Sequence, residues 1–346
     1  MTIIYLYRSL AAFGGVERIF IDKANYLAEH YGYHVYIITW EQGGHSIVYP
    51  LSPKVTHIDW GILFYRQYQY GLFKRMFMQW KMEKEFFKKL SNFVHTTQAD
   101  IVIGASCEFT TMAGMDLLQR KTHTILETHS MRTSIEKNNP PAGNLLMRWA
   151  FKRRDKKLHQ YIKHMSAFVT LTHNDAKDWS DITPQARIIP NMLHRYPAEI
   201  SPDKKTQKRI ITAGRLVEQK GYDLLLDAWS KVHQKHPEWI LDIYGEGEDK
   251  NMLLEKRKNL ALENSVLFHP PTPDIYQKYM DSDFYVMSSR YEGFGLVLAE
   301  AMSCGIPCVS FDCPHGPSDI IKDHEDGLLV EKENIKELAD KICYLI

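Results

Sequence analysis

The chain has 346 residues, too many for one ordinary domain, with 44% apolar and 25% charged residues, the mix of a soluble globular protein. The formal net charge of +1 leaves no overall basic field of the kind nucleic acid would select, and no nucleic-acid partner is expected. No apolar run approaches bilayer length, Met1 to Arg8 is too short for a signal peptide, and five cysteines, an odd number, point to a reducing cytoplasm.

Taken in order, Thr2 to Arg8 predicts a strand, followed by A-F-G-G-V-E and a helix to about Tyr31. Gly14-Gly15 at that turn can let backbone approach a phosphate. Strands follow near 33–40 and 55–60, then one long aromatic and basic helical stretch, Tyr65 to Leu90. A strand over 100–106, a helix from Phe109 and a strand from His123 to Thr128 lead to E-T-H, so His129 lies at a strand's carboxyl end, where ligands gather in such sheets. A basic helix over Leu145 to His164, a strand at 166–171, a short helix at 172–179 and a strand at 186–190 complete the first half. Pro190, Asn191, Pro197, Ser201, Pro202 and a K-K-T-Q-K-R run then read as a linker. Two domains are expected, 1–192 and 193–346.

The second half restarts with a strand, Arg209 to Leu216, and places Arg215 and Lys220 on the loop before a helix. Strands follow in 239–247 (ending in a G-E-G turn) and 266–271, with a charged helix between. Asp281-Ser-Asp283 is a literal D-x-D, but it precedes a buried strand at the end away from the ligand side. No metal site is expected there, nor at Cys304, Cys308 and Cys313, which lack a convincing fourth ligand. Asp283 to Ser289 is a buried strand, Gly295 to Gly305 a short helix, and Ile306 to Phe311 the last long core strand. Strand, glycine turn and helix aim N–H groups and a positive dipole end at an anion. Glu292 in that turn can accept bonds from sugar hydroxyls. Glu300, in an otherwise apolar helix, is a costly charge that a polar ligand would offset. Neither G-x-G-x-x-G nor G-x-x-x-x-G-K-[ST] occurs, so dinucleotide-dehydrogenase and P-loop readings lose their main support.

R-Y-E-G-F-G-L-V-L-A-E-A-M-S-C-G resembles the E-x7-E signature of the family 4 retaining glycosyltransferases, of GT-B fold, and Arg215 with Lys220 resembles that family's R-x4-K. D-C-P-H-G-P-S-D-I-I resembles its exopolysaccharide and capsule branch, with His315-Gly316-Pro317 where most relatives have Gly-Gly. The resemblance implies an α/β chain of two facing Rossmann-like domains with parallel sheets and an interdomain cleft. It implies transfer of a hexose-type sugar, with retention and without a metal, from a UDP-sugar (or a GDP-sugar) to a glycan or polyprenyl-diphosphate-linked acceptor in surface polysaccharide biosynthesis. On this carry-over Glu292 and His129 face the hexose, Gly293, Phe294 and Gly295 face hexose and phosphate, and Glu300 holds the ribose. Arg215 and Lys220 then neutralise the leaving diphosphate, and Gly14 and Gly15 form the first glycine loop. No cofactor is implied. Two rivals remain, a sugar-nucleotide 2-epimerase on the same scaffold and a non-catalytic sugar-nucleotide-binding subunit. The family usually continues past the last helix with a crossover to the front domain, whereas this chain stops at Ile346.

Residues 1–197 hold 25 Lys+Arg against 16 Asp+Glu, and the remainder 18 against 26. The excess of cations clusters with aromatics in 65–90 and 145–164, including Arg153 and Arg154. That mixture predicts peripheral docking on an anionic membrane at the inner face of the plasma membrane.

Overall fold

A computed structural model describes residues 1–12, 14–105, 107–118, 122–132, 145–197 and 206–346, with backbone alone for 145–151. Most of the 193–205 linker, with Ser201, Pro202 and Lys204-Lys205, lies outside these residues, as do the side chains of Arg148, Trp149 and Phe151. Contacts group the chain into two units, one of Met1–Leu171 with Asp175–His194, the other of Thr172–Asn174 with Arg195–Ile346. Among the described residues no helix is long and apolar enough to cross a membrane.

In the first unit seven parallel strands lie in the order β3-β2-β1-β4-β5-β6-β7. They are β1 (Thr2–Leu6), β2 (His34–Thr39), β3 (Val55–Asp59), β4 (Ile101–Gly104), β5 (His123–Glu127), β6 (Ala167–Thr170) and β7 (Arg187–Ile188). Alternate residues of each strand point to opposite faces, so each face needs its own cover. Ile4, Leu6, Val102 and Leu126 pack under Phe86 and Leu90 of α2 (Leu72–Thr97). Ile3, Tyr5, Val35 and Ile37 pack under Phe20, Ile21 and Ala24 of α1 (Gly15–His30). Helices α3 (Phe109–Asp116), α4 (Leu145–His164) and α5 (His173–Asp178) complete the order.

The second unit has six parallel strands in the order β10-β9-β8-β11-β12-β13. They are β8 (Arg209–Ala213), β9 (Ile240–Tyr244), β10 (Val266–His269), β11 (Phe284–Met287), β12 (Cys308–Phe311) and β13 (Gly327–Val330). Trp229 of α6 (Tyr222–Lys235) and Leu338 and Ile342 of α11 (Ile335–Leu345) cover Ile210, Leu241, Val286 and Val309. Tyr279 of α8 (Ile275–Met280) and Leu298 and Ala301 of α9 (Leu296–Ser303) cover Ile211, Tyr285 and Cys308 on the opposite face. The charged α7 (Lys250–Asn259) and the single turn α10 (Pro317–Ile320) complete it.

Two expectations need correction. The helix expected over Tyr65 to Leu90 is two elements, a 3-10 turn at Phe64–Gln69 and then α2. Tyr70 and Gly71 between them are extended, and Gly71 has no side chain to hold the helical geometry there. β12 is not the last core strand, because β13 pairs with it through Cys308 to Phe311. Gly327 begins β13 where a Cβ would meet the Cys308 carbonyl at 2.8 Å, a close approach that hides the strand behind turn-like residues.

Candidate active site

In both sheets the first and fourth strands of the unit are neighbours, with connections leaving in opposite directions, so a crevice opens at their carboxyl ends. In the second unit those ends carry loop 214–221 after β8 and loop 288–295 after β11. The loops are tied by four bonds: Ser288 Oγ to the Lys220 carbonyl (3.0 Å), Gln219 Nε2 to the Tyr291 carbonyl (3.0 Å), Arg290 N to the Gln219 carbonyl (2.8 Å) and Arg290 Nη1 to the Glu218 carbonyl (2.8 Å). Gly221, at φ +62, is required here, since a Cβ would lie 2.1 Å from the Ser288 carbonyl oxygen. Arg290 also clasps Asp223 with two bonds of 2.8 and 2.7 Å. That pair holds the Asp223 carboxyl below its usual range, because the guanidinium outweighs the upward push of burial.

Within this frame Lys220 Nζ donates to Glu292 Oε1 at 2.6 Å, and Ser289 Oγ donates to the same oxygen at 2.6 Å. The side chains are 16% and 8% exposed, so the ion pair is mostly shielded from water. The Cys313 thiol is pushed up to about 12 by burial and by Glu292, against the opposing pull of Lys220, which keeps it neutral. Arg215 is exposed and touches Gln219 Oε1 at 3.4 Å; among the described residues no carboxylate pairs with it. Gly295, at φ +83, leads into α9, and among the described residues no side chain caps that helix. Phe294 is buried, and a Cβ at Gly316 would stand 2.0 Å from its carbonyl oxygen. Glu300, in α9, is buried and accepts from Tyr279 Oη at 3.4 Å. Burial, followed by the nearby Glu300 charge, raises the Tyr279 phenol well above its usual range. The second unit thus brings together Arg215, Lys220, Glu292, Gly293, Phe294 and Gly295, with Glu300 in the helix they open.

Gly14, Gly15 and His129 belong to the first unit. Gly14 precedes α1, and Glu17 folds back over it: a Cβ at Gly14 would stand 2.2 Å from Glu17 Oε2. Tyr7 Oη holds the same carboxylate at 3.0 Å. The His129 side chain is 5% exposed, its Nε2 3.5 Å from Glu127 Oε2, and neither ring nitrogen has a hydrogen-bond partner among the described residues. Glu127 takes Lys23 Nζ at 2.6 Å on both oxygens. Burial alone would raise its carboxyl, but His129 and Lys23 together hold it below the usual range.

A cavity of about 900 Å³ opens at the carboxyl ends of β1, β4 and β5. Arg8 and Glu41 form an ion pair on its wall, beside Glu108, Arg154, Asp155 and His129. Burial raises the Glu108 carboxyl, with Arg8 opposing. Sequence reasoning missed Arg8, Glu41 and Glu108, which only the strand order assembles. It also missed Ser289, although its place three residues before Glu292 was a readable signal. Arg154, expected on a membrane-facing helix, lines this cavity with its guanidinium 5.4 Å from the Phe109 ring centre. The D-x-D carboxylates bond to the chain itself: Asp283 takes the N–H groups of Gln207 (3.1 Å) and Arg209 (2.9 Å), and Asp281 takes Gln277 Nε2 (2.9 Å).

Residues 198–346 match the model of the family described as glycosyl transferases group 1. An uncharacterized glycosyltransferase of Haemophilus influenzae is 29% identical over 99% of this chain and 89% of its own length. The amylovoran biosynthesis glycosyltransferase AmsD of Erwinia amylovora is 42% identical over 45% of this chain and 42% of its own. Among solved structures, an S. aureus TarM mutant in complex with Fondaparinux, alpha-GlcNAc-glycerol and UDP superposes with a TM-score of 0.74 at 17% identity. That match covers 99% of this chain and 92% of the other. The match to the glycosyl transferases group 1 thus covers residues 198–346, and the two parallel sheets with the same strand order share the GT-B fold of the solved glycosyltransferases.

Proposed function

We propose that the protein transfers a hexose-type sugar from a UDP-sugar, with GDP-sugar the second choice, to a glycan or polyprenyl-diphosphate-linked acceptor in surface polysaccharide biosynthesis. The observation that carries this reading is the shielded Lys220–Glu292 pair beside an exposed Arg215 and the start of α9, the last two without a carboxylate partner or a side-chain cap among the described residues. The donor diphosphate would draw Lys220 and Arg215 onto its oxygens as charge develops on the leaving group. Glu292, released from Lys220 and still held by Ser289, would then accept from hexose hydroxyls. Glu300 would take the ribose. With the donor phosphate accepting the acceptor's proton, configuration is retained and no metal is needed. The parts given to Gly14, Gly15 and His129 rest on the resemblance alone. The relatives support the polysaccharide setting: AmsD is a biosynthesis glycosyltransferase of amylovoran, and the TarM complex holds UDP with a GlcNAc-bearing glycerol.

The test is UDP release from a panel of UDP- and GDP-sugars, with and without lipid-linked acceptors and with EDTA present. The reading expects acceptor-dependent release of nucleotide and an α-linked product from an α-linked donor. Donor consumed to an isomeric sugar nucleotide without acceptor would replace it with the epimerase, and nucleotide binding without release would replace it with the binding subunit.

A further inference from the structure

Leu72 and Leu90 lie on the same line along α2, about five turns apart, as do Met76 and Val94. Leu90 and Val94 are in the core, 1% and 4% exposed, whereas Leu72 and Met76 are 68% and 62% exposed. Among the described residues, the face of α2 that packs on the sheet at its end therefore has nothing beneath it at its start. Phe73 (88% exposed), Phe77 and Trp80 widen this overhang into one apolar stripe. Isolated exposed apolar residues need no explanation, but five adjoining ones on one helix mark an interaction surface.

Its charge selects the partner. From Phe64 to Met82 there is no Asp or Glu, while Arg66, Lys74, Arg75 and Lys81 are present. The cations are drawn along the aromatic faces, with Arg75 4.1 Å from the Tyr68 ring centre and Lys74 4.3 Å from that of Tyr70. A second copy of the chain meeting this face symmetrically would set these cations against themselves. A layer of anionic headgroups over acyl chains matches both the apolar stripe and its basic flanks.

We propose that the start of α2 inserts into an anionic lipid surface, with Leu72, Phe73, Met76, Phe77 and Trp80 below the headgroups and Lys74, Arg75 and Lys81 among them. The 3-10 turn joins this surface to the cavity of the first unit, since Phe64, Tyr65 and Tyr68 line that cavity. An acceptor anchored in the same surface would thus present its sugar end to the cavity, a consequence that rests on the transferase reading. Insertion itself does not.

The experiment uses the full chain with vesicles of phosphatidylcholine alone or with one-third phosphatidylglycerol, at low and high salt. Sedimentation should show binding only to the anionic vesicles, weakened by salt. Phe73→Ser/Phe77→Ser should lower the partition on the order of a hundredfold, about tenfold per side chain. Brominated acyl chains should quench the wild type more than Trp80→Phe, which separates Trp80 from the other six tryptophans. Equal binding to neutral vesicles, unchanged binding of the double variant, or equal quenching in both proteins would overturn the proposal. So would a self-association seen in sedimentation velocity that the double variant abolishes without any vesicle binding, which would assign the face to a second copy. Turnover of donor with a soluble acceptor, measured on the same variant, keeps the two readings apart: it should be unchanged, and its absence in the wild type would count against the transferase alone.

Discussion

Replacing Lys220 with Met tests the central ion pair through a double-mutant cycle with Glu292→Gln. In the wild type, Glu292 Oε1 takes both Lys220 and Ser289 at 2.6 Å, in a position 8% exposed. Lys220→Met leaves that carboxylate shielded from water with one hydroxyl donor, which costs about 3 kcal/mol. Glu292→Gln leaves an ammonium on a flexible four-carbon stem that reaches water more readily, at about 1 kcal/mol. In the double variant neither charge remains, so its loss should be about 1–2 kcal/mol rather than the sum, a coupling of about 2–3 kcal/mol. Urea unfolding measures the stability, and UDP release measures turnover on the same proteins. All three variants should lose turnover while the double variant regains stability, which separates the fold from the chemistry. Losses that add to within about 0.5 kcal/mol would show that the pair is not formed in solution and would remove the basis for a donor-triggered exchange of partners.

Three more outcomes are expected. Glu300→Ala should weaken UDP binding by about 1.5–3 kcal/mol, since the ribose would lose a charged acceptor that Tyr279 alone does not replace; calorimetry showing unchanged affinity removes Glu300 from the site. Arg215→Ala should lower kcat by about 10- to 100-fold with little effect on UDP affinity or melting temperature, because this exposed guanidinium has no ion-pair partner among the described residues to lose; an effect on binding alone contradicts a leaving-group role. Asp175 tests the pH dependence of the first unit. Burial pushes its carboxyl from 3.8 up to about 7, against the nearby Arg132 backbone and Trp179 indole, which favour the charged form. A raised folded value means that the folded chain binds the proton more tightly, so its stabilisation is complete below about pH 4 and is lost as pH rises through 7. Asp175→Asn should flatten that slope and leave the protein up to about 4 kcal/mol more stable than wild type at pH 8. Denaturation curves at pH 5 and pH 8 check it, and an unchanged slope would refute it.

What was legible in the sequence depended on distance along the chain. Glu292, Gly295 and Glu300 lie on one strand–turn–helix unit, whose geometry follows from local pattern alone, and the fold put them where that pattern implies. Arg215 and Lys220 needed only the preceding strand β8. The partners that brace them were not readable, because Arg290 meets Asp223 across 67 positions and Ser288 meets Lys220 across 68, and only the adjacency of β8 and β11 makes those meetings. The cavity is a stronger case. Arg8, Glu108 and His129 follow three different strands, and no spacing rule links them until β1, β4 and β5 lie side by side.

The α2 helix shows why periodicity falls short even inside one element. Apolar residues recur along one side of it from Leu72 to Val94, the pattern of a helix with one apolar face. Burial, however, requires something to bury against. The sheet and α3 lie under Phe86, Leu90 and Val94, while the same side at Leu72 and Met76 faces outward. A pattern of residues defines which side of a helix is apolar; only the extent of the neighbouring core decides where along its length that side is covered. The uncovered part costs apolar exposure that five adjoining side chains would not otherwise sustain, and the absence of acidic residues from Phe64 to Met82 is the further constraint that a lipid surface accounts for.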